Sequence, residues 1–223
     1  MTERARRRLG VYGGSFDPIH RGHLGPVEEV RRRLEIDEVL FVPAHQPPHK
    51  PTGASASSHH RFAMAALALA PFEAFRLSDY EVARGGTTYT IETLRHVRAI
   101  HPDHEVVLLM GSDSLVTFAT WRSWQEIARD YAIGVVYREP FTYAETAGKV
   151  PAELWARMAP EEAIPGNGRQ EAAEKSIFWG GNAPVTISST WLRRAIPAGE
   201  DLHESLPPAV EQYLRRHALY RAP

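Results

Sequence analysis

Two histidines, His20 and His23, flank Gly22 in the stretch GVYGGSFDPIHRGH, which runs from Gly10 to His23. Imidazoles three residues apart share one face of a helix. At a helix start they can donate hydrogen bonds to phosphate oxygens, where open backbone N–H groups already favour an anion. Zinc is the competing reading, although the acidic or third histidine ligand it needs is not evident nearby. Gly13 and Gly14 come just before, at the end of an apolar run. Glycine at such a point permits positive φ and lets a ligand approach the backbone, and the turn, which continues through Ser15 and Phe16, exposes N–H groups toward an anion. No GKS or GKT follows, so this is not a Walker A loop, and the GxGxxG dinucleotide fingerprint does not occur here. Asp17 and Pro18 read as a turn acid and a turn former.

A second set of polar groups stands near the other end, in ISSTWLRRAI, Ile187 to Ile196. Ser188, Ser189 and Thr190 precede an amphipathic run, as residues at a helix N-terminus do. They could simply cap that helix. Arg193, however, follows Thr190 by three, so a hydroxyl, open N–H groups and a guanidinium converge as a cradle for pyrophosphate. Three middle segments also carry candidates. VPAHQPPHK places His49 and Lys50 in a proline-stiffened loop after a strand. GTTYTIETL opens a helix with hydroxyls, Thr90 among them, and also reads as a plain capped start. MGSDSLVTFATW puts Gly111 and Asp113 at the carboxyl end of a buried strand, where an acid can bind a ribose hydroxyl, bind an ordered cation or cap a helix. Trp121 and Trp124 lie three apart, a spacing the core could absorb.

The elements that position these groups alternate. Leu9–Tyr12, Val39–Val42, Phe75–Val82, Val106–Met110, Ala132–Tyr137, Ile177–Trp179 and Val185–Ile187 read as strands. Pro26–Leu34, Arg61–Ala70, Thr90–Ile100, Trp124–Arg129, Trp191–Ile196 and Pro208–His217 read as helices. Val106–Met110 is continuously apolar, the mark of a strand buried on both faces. The order predicts an α/β, Rossmann-like, doubly wound and mostly parallel sheet, with helices on both faces and a small helical part at the C-terminal end. Ligands of such sheets bind beyond the carboxyl ends of the strands. Ala44–Ser58 and Phe141–Glu174 are the least regular stretches, expected as loops or a lid within a single domain, 9–223, whose variable segment is 141–184.

With 223 residues, 43% of them hydrophobic, the chain can fill a substantial core. Its 26 Lys and Arg nearly balance 27 Asp and Glu, for a net charge of −1. That balance gives no support to a general attraction for nucleic acid or membranes. The Arg4–Arg8 run is expected as a basic, solvated tail, 1–8. Cysteine is absent, so disulfides, thiolate nucleophiles and thiolate metal sites are excluded, in keeping with a reducing cytoplasm. No signal peptide and no run of 18 apolar residues is found, so a soluble protein is expected.

GGSFDPIHRGH, taken whole, resembles the signature of the nucleotidyltransferase superfamily with an HxGH motif, here His20-Arg21-Gly22-His23. In that superfamily the two histidines contact the phosphates of a nucleoside triphosphate. ISSTWLR resembles its ISSTxxR motif. PPHK, the YTxxTL segment, GxD followed by a Trp, and a last helix ending in LY are together similar to bacterial nicotinate-nucleotide adenylyltransferases, from about Leu9 to Tyr220. The small pantetheine-phosphate adenylyltransferases share the end motifs but are shorter and lack the YTxxTL and GxD…W combination. Thr87-Thr88 replaces a frequent Pro-Ser, Arg122 replaces an aromatic after the Trp, and Phe141–Pro184 matches weakly.

The resemblance implies adenylyl transfer from ATP to nicotinate mononucleotide, giving deamido-NAD and pyrophosphate in NAD biosynthesis. It implies that His20, His23, Lys50 and Arg193 act on the phosphates. Gly13, Gly14, Ser15, Phe16, Gly111, Asp113, Ile187, Ser189 and Thr190 would contact ATP, and Thr90, Trp121 and His49 the mononucleotide. Mg²⁺ would arrive with ATP, without dedicated protein ligands. No nucleic-acid or membrane partner is expected, and the chain would work in the cytoplasm as a monomer or homodimer. The rivals are a different mononucleotide or phosphopantetheine as acceptor, a nucleotide sensor without turnover, and DNA binding by the arginine tail.

Overall fold

The computed structural model describes residues 6–47, 54–162 and 176–221. Six strands form one sheet: β1 (Arg7–Gly14), β2 (Glu38–Pro43), β3 (Phe75–Leu77), β4 (His104–Gly111), β5 (Ala132–Val136) and β6 (Ile177–Trp179). Their order is β3-β2-β1-β4-β5-β6. The pairs β1·β4, β4·β5 and β5·β6 run parallel. The order reverses at β1 and β4, so the expected Rossmann-like α/β fold is the observed one, and the carboxyl ends of those two strands mark the switch point. The helices are α1 (Arg21–Arg33), α2 (Ser58–Leu69), α3 (Tyr80–Arg84), α4 (Thr90–Ile100), α5 (Ser112–Thr117), α6 (Trp124–Asp130), α7 (Tyr143–Ala147), α8 (Ala152–Trp155), α9 (Ser189–Ala198) and α10 (Pro208–Arg216), with a 3₁₀ turn at Phe118–Thr120.

The chain divides into two compact units, each assembled from three stretches: 1–12, 26–40 and 89–185 in the first, and 13–25, 41–88 and 186–223 in the second. In the first unit the apolar run Val106–Met110 is fully buried, as its composition predicts. Val27 and Val30 of α1 and Leu34 just past its end, spaced by three and four, are buried. Gly10 and Gly134 are small because neighbours come close. A methyl group on Gly134 would lie 2.6 Å from Leu109 Cδ2 and 2.8 Å from Leu34 Cδ1. In the second unit Phe16, Phe41 and Phe75 form a chain of rings 5.8 and 4.9 Å apart. Met64, Ala65, Ala68 and Leu69 of α2 and Val210 and Leu214 of α10 are among its other buried apolar residues.

Several expected boundaries move. β1 begins at Arg7, inside the expected tail. Backbone pairing is indifferent to side-chain charge, and Glu105 of the neighbouring strand takes the Arg8 guanidinium at 2.9 and 3.1 Å. α1 begins at Arg21 rather than Pro26. Pro26 lies inside the helix, where its missing N–H leaves only the Gly22 carbonyl without its helical donor. The strand expected over Phe75–Val82 ends at Leu77. Ser78 Oγ then accepts the Tyr80 N–H at 3.2 Å and α3 starts. Val185–Ile187 joins no strand among the described residues. Phe141–Glu174, expected as loop, carries α7 and α8, whose Tyr143 ring meets Trp155 and Trp179 at 5.0 and 5.6 Å. Among the described residues no helix is long and apolar enough to cross a membrane. Because Gly134 is walled in by Leu109 and Leu34, Gly134→Ala should lower the unfolding free energy by about 1–3 kcal/mol, measured by urea denaturation.

Candidate active site

In the second unit the turn from Gly13 to His20 leads from β1 into α1. Its left-handed residue is Phe16, φ 47°, and not Gly13 or Gly14. Gly14 is required for another reason: a Cβ there would lie 2.9 Å from the Phe16 ring. A Cβ on Gly13 would make an ordinary contact with the Val42 carbonyl oxygen, at 4.0 Å, so crowding does not require glycine there. His20 precedes α1 and His23 lies within it, so the pair is not on one helical face as the spacing suggested. The rings are nevertheless adjacent, 3.8 Å between centroids. The His20 N–H donates to His23 Nδ1 at 3.3 Å. His23 Nδ1 is therefore an acceptor, which puts the proton of a neutral ring on Nε2. Gly22 is glycine for a reason of space, since a Cβ would sit 3.0 Å from His20 Nδ1 and 3.2 Å from the Ile187 carbonyl oxygen.

The second motif meets this turn. Ser188 caps α9, its Oγ accepting the Trp191 N–H at 3.1 Å. That frees the other groups for longer contacts. Ser189 Oγ donates to the Pro18 carbonyl at 3.0 Å, and Arg193 Nη1 donates to the Asp17 carbonyl at 2.7 Å. Arg193 Nη2 donates to Thr190 Oγ1 at 3.3 Å. His20, His23, Ser189, Thr190 and Arg193 are thus carried by two segments joined at Asp17 and Pro18. Ser15 gives its carbonyl to Arg61, which is fully buried and also donates to the carbonyls of His45 and Ala56. Burial lowers the Arg61 pKa, and the Asp17 charge opposes that effect. His49 and Lys50 lie outside the described residues.

In the first unit Gly111 closes β4, and Asp113 follows in the first turn of α5 with its side chain exposed. Any side chain at Gly111 would run into Asp113 Oδ1 and the Arg138 side chain. Arg138, just past β5, was not singled out by the sequence, although an arginine directly after an apolar strand is a recognisable signal. It donates from Nη2 to the Tyr12 hydroxyl at 2.7 Å. Tyr12 and, less strongly, Asp113 favour its charged form. Its Nε is buried with no acceptor among the described residues. Ser112, fully buried, fixes the Arg138 backbone by donating to its carbonyl and accepting its N–H. A cation, an acid and a bare glycine thus meet at the carboxyl ends of β4 and β5.

Thr90 is the first residue of α4, and Tyr89 caps it by donating its N–H to Glu92 Oε2 at 3.0 Å. Trp121 ends the 3₁₀ turn, half-buried, edge-on to Phe118 at 5.5 Å, while Trp124 opens α6 on the same phenyl ring. The Arg122 guanidinium lies over the Tyr89 ring, 4.7 Å from its centroid. Among the described residues no group of three His, Cys, Asp or Glu side chains is placed to hold a metal ion.

A model of the cytidylyltransferase-like family matches residues 11–195. A protein of Synechococcus sp. (strain JA-3-3Ab) named probable nicotinate-nucleotide adenylyltransferase is 38% identical, over 98% of this chain and 97% of its own. One of the same name from Aeromonas hydrophila is 39% identical, over 96% and 97%. Among solved structures, nicotinic acid mononucleotide adenylyltransferase of Plasmodium falciparum, complexed with NaAD, aligns over 96% of this chain and 97% of its own with a TM-score of 0.71 at 19% identity, a likeness of fold. With the HxGH and ISSTxxR motifs joined at one turn and relatives matching end to end, the chain belongs to the cytidylyltransferase-like family and, within it, to the nicotinate-nucleotide adenylyltransferases.

Proposed function

We propose that this protein transfers the adenylyl group of ATP to nicotinate mononucleotide, forming deamido-NAD and pyrophosphate in NAD biosynthesis in the cytoplasm. The observation that carries the reading is the junction of the two phosphate motifs at Asp17 and Pro18, in a chain whose full-length relatives bear that enzyme's name. An oxygen of the mononucleotide phosphate attacks the α-phosphorus, and the bond to the β-phosphate bridging oxygen breaks, its electron pair leaving with pyrophosphate. The nucleophile is already anionic near neutral pH, so no general base is needed. Positioning supplies much of the acceleration, on the order of 7–11 kcal/mol for well-oriented reactants.

His20 and His23 bind the phosphates, with His23 Nε2–H as a donor to the charge that builds on the α-phosphoryl group. Arg193, Ser189 and Thr190 hold the phosphates at the N-terminus of α9, joined by Lys50. Gly13, Gly14, Ser15, Phe16 and Ile187 line the path of ATP, and Gly111 and Asp113 bind its ribose. Trp121 stacks on the pyridine ring, with Thr90 and His49 also on the mononucleotide. Mg²⁺ would come with ATP, without dedicated protein ligands, and would offset the triphosphate charge. Asp17 suits that arrangement, because its carboxylate already accepts from Ser55, Ala56 and Tyr220.

The test is pyrophosphate release with ATP and Mg²⁺, comparing nicotinate mononucleotide, nicotinamide mononucleotide and phosphopantetheine. Release mainly with the first supports the assignment, and none with it overturns the assignment. His23→Ala should lower kcat by about 10²-fold, as the loss of an oxyanion donor does, with little change in nicotinate mononucleotide binding. Trp121→Ala should raise KM for the mononucleotide with kcat nearly kept, since stacking serves ground and transition states alike. Steady-state kinetics on both variants checks the split.

A further inference from the structure

Asp17 sits between the glycines and the histidines of the turn, yet its carboxylate faces protein. Its side chain is 1% exposed. The carboxylate accepts the N–H of Ser55 at 2.8 Å and of Ala56 at 3.0 Å, and the Arg193 guanidinium stands 3.9 Å away. The remaining contact comes from Tyr220, 203 residues distant in sequence, whose hydroxyl donates to Oδ1 at 2.6 Å. A short bond from a neutral hydroxyl to a carboxylate is among the stronger hydrogen bonds a protein makes. Burial and the Asp17 carboxylate both push the Tyr220 phenol upward, so it stays protonated and remains a donor. The backbone bends to deliver it. Ala218 and Tyr220, past the end of α10, have φ values of 49° and 58°, a region that side chains other than glycine disfavour.

The same residue that Tyr220 grips through its side chain is gripped by Arg193 through its carbonyl. The next residue, Pro18, takes Ser189. Anything that shifts the Asp17 carboxylate therefore shifts the acceptor of Arg193 and the residues leading into His20. We infer that Tyr220 is a positioning residue for the phosphate-binding turn, acting through Asp17. The hydroxyl, more than the ring, carries this role: without it a buried carboxylate loses a donor and turns toward the nearest remaining ones, among them the Arg193 guanidinium.

The inference rests on the adenylyl-transfer reading, and the experiment separates the two. Tyr220→Phe keeps the ring and removes only the hydroxyl. Tyr213→Phe is the control, since it also removes a tyrosine hydroxyl, one bonded to His60 at 2.9 Å. Both are compared with wild type in kinetics with ATP, Mg²⁺ and nicotinate mononucleotide, and in the rise of Tm produced by ATP alone. Tyr220→Phe should lower kcat about tenfold, raise KM for ATP and shrink the ATP-induced rise of Tm. KM for nicotinate mononucleotide should stay within about twofold, and Tyr213→Phe should match wild type. Unchanged kcat and ATP response in Tyr220→Phe overturns the inference, as does an equal loss in Tyr213→Phe or an equal rise of both KM values. A wild-type protein that releases no pyrophosphate overturns the reaction instead, and the ATP-induced rise of Tm then still decides the role of Tyr220.

Discussion

A single buried carboxylate organises the second unit. Asp17 draws in donors from three separate stretches: the backbone at Ser55 and Ala56, Arg193 of α9, and Tyr220 beyond α10. A charge buried so completely persists only when its oxygens are filled and its charge is balanced. Arg61 supplies charge of the opposite sign nearby, and spends its own N–H groups on three carbonyls of the same region. Apolar packing alone would tolerate many arrangements of these loops. The need to satisfy one acid and one base, both buried, leaves few.

The first unit is built on the opposite principle. Its residues at the carboxyl ends of β4 and β5 depend on a tightly packed sheet, with glycines at Gly10 and Gly134 where neighbours leave no room for a side chain. Ser112 ties the backbone after β5 to the end of β4 by exchanging two hydrogen bonds with Arg138. The Arg138 side chain is then directed by Tyr12 at the end of β1. Three adjacent strands of a parallel sheet thus each contribute one polar group, with strand order deciding which groups meet.

Much of this was legible in the sequence, and the parts that were not share a cause. The strand and helix order followed from apolar periodicity, because a parallel sheet buried on both faces writes continuous apolar runs such as Val106–Met110. The two motifs that meet at Asp17 and Pro18 were legible as clusters of polar residues at element ends. The roles inside them were not. Gly14 looked like a backbone-conformation glycine, and Gly22 carried no reading of its own, but each is there because a ring lies within about 3 Å of its Cβ position. Nothing local marked Arg61, in an alanine-rich helix, or Tyr220 as partners of the turn, since both act on residues far away in sequence. Long-range side-chain contacts leave no periodic trace. Local turn chemistry, as at Ser78, likewise overrode the alternation that predicted a longer third strand.

The division into units does not follow the chain. The backbone passes from one unit to the other after Tyr12, Gly25, Leu40, Thr88 and Val185, so neither unit is a continuous segment. In order of synthesis, β1 and its glycine turn come first, while Arg193 and Tyr220, which grip Asp17, come 176 and 203 residues later. Contacts of such long separation form late, because closing the loop must precede any gain from the contact. A nascent chain can therefore assemble the β1·β4·β5 part of the sheet while Asp17 still lacks its distant partners. The turn that carries Asp17 and leads into His20 becomes complete only after Tyr220 has been made, so a chain that stops before it has no finished turn.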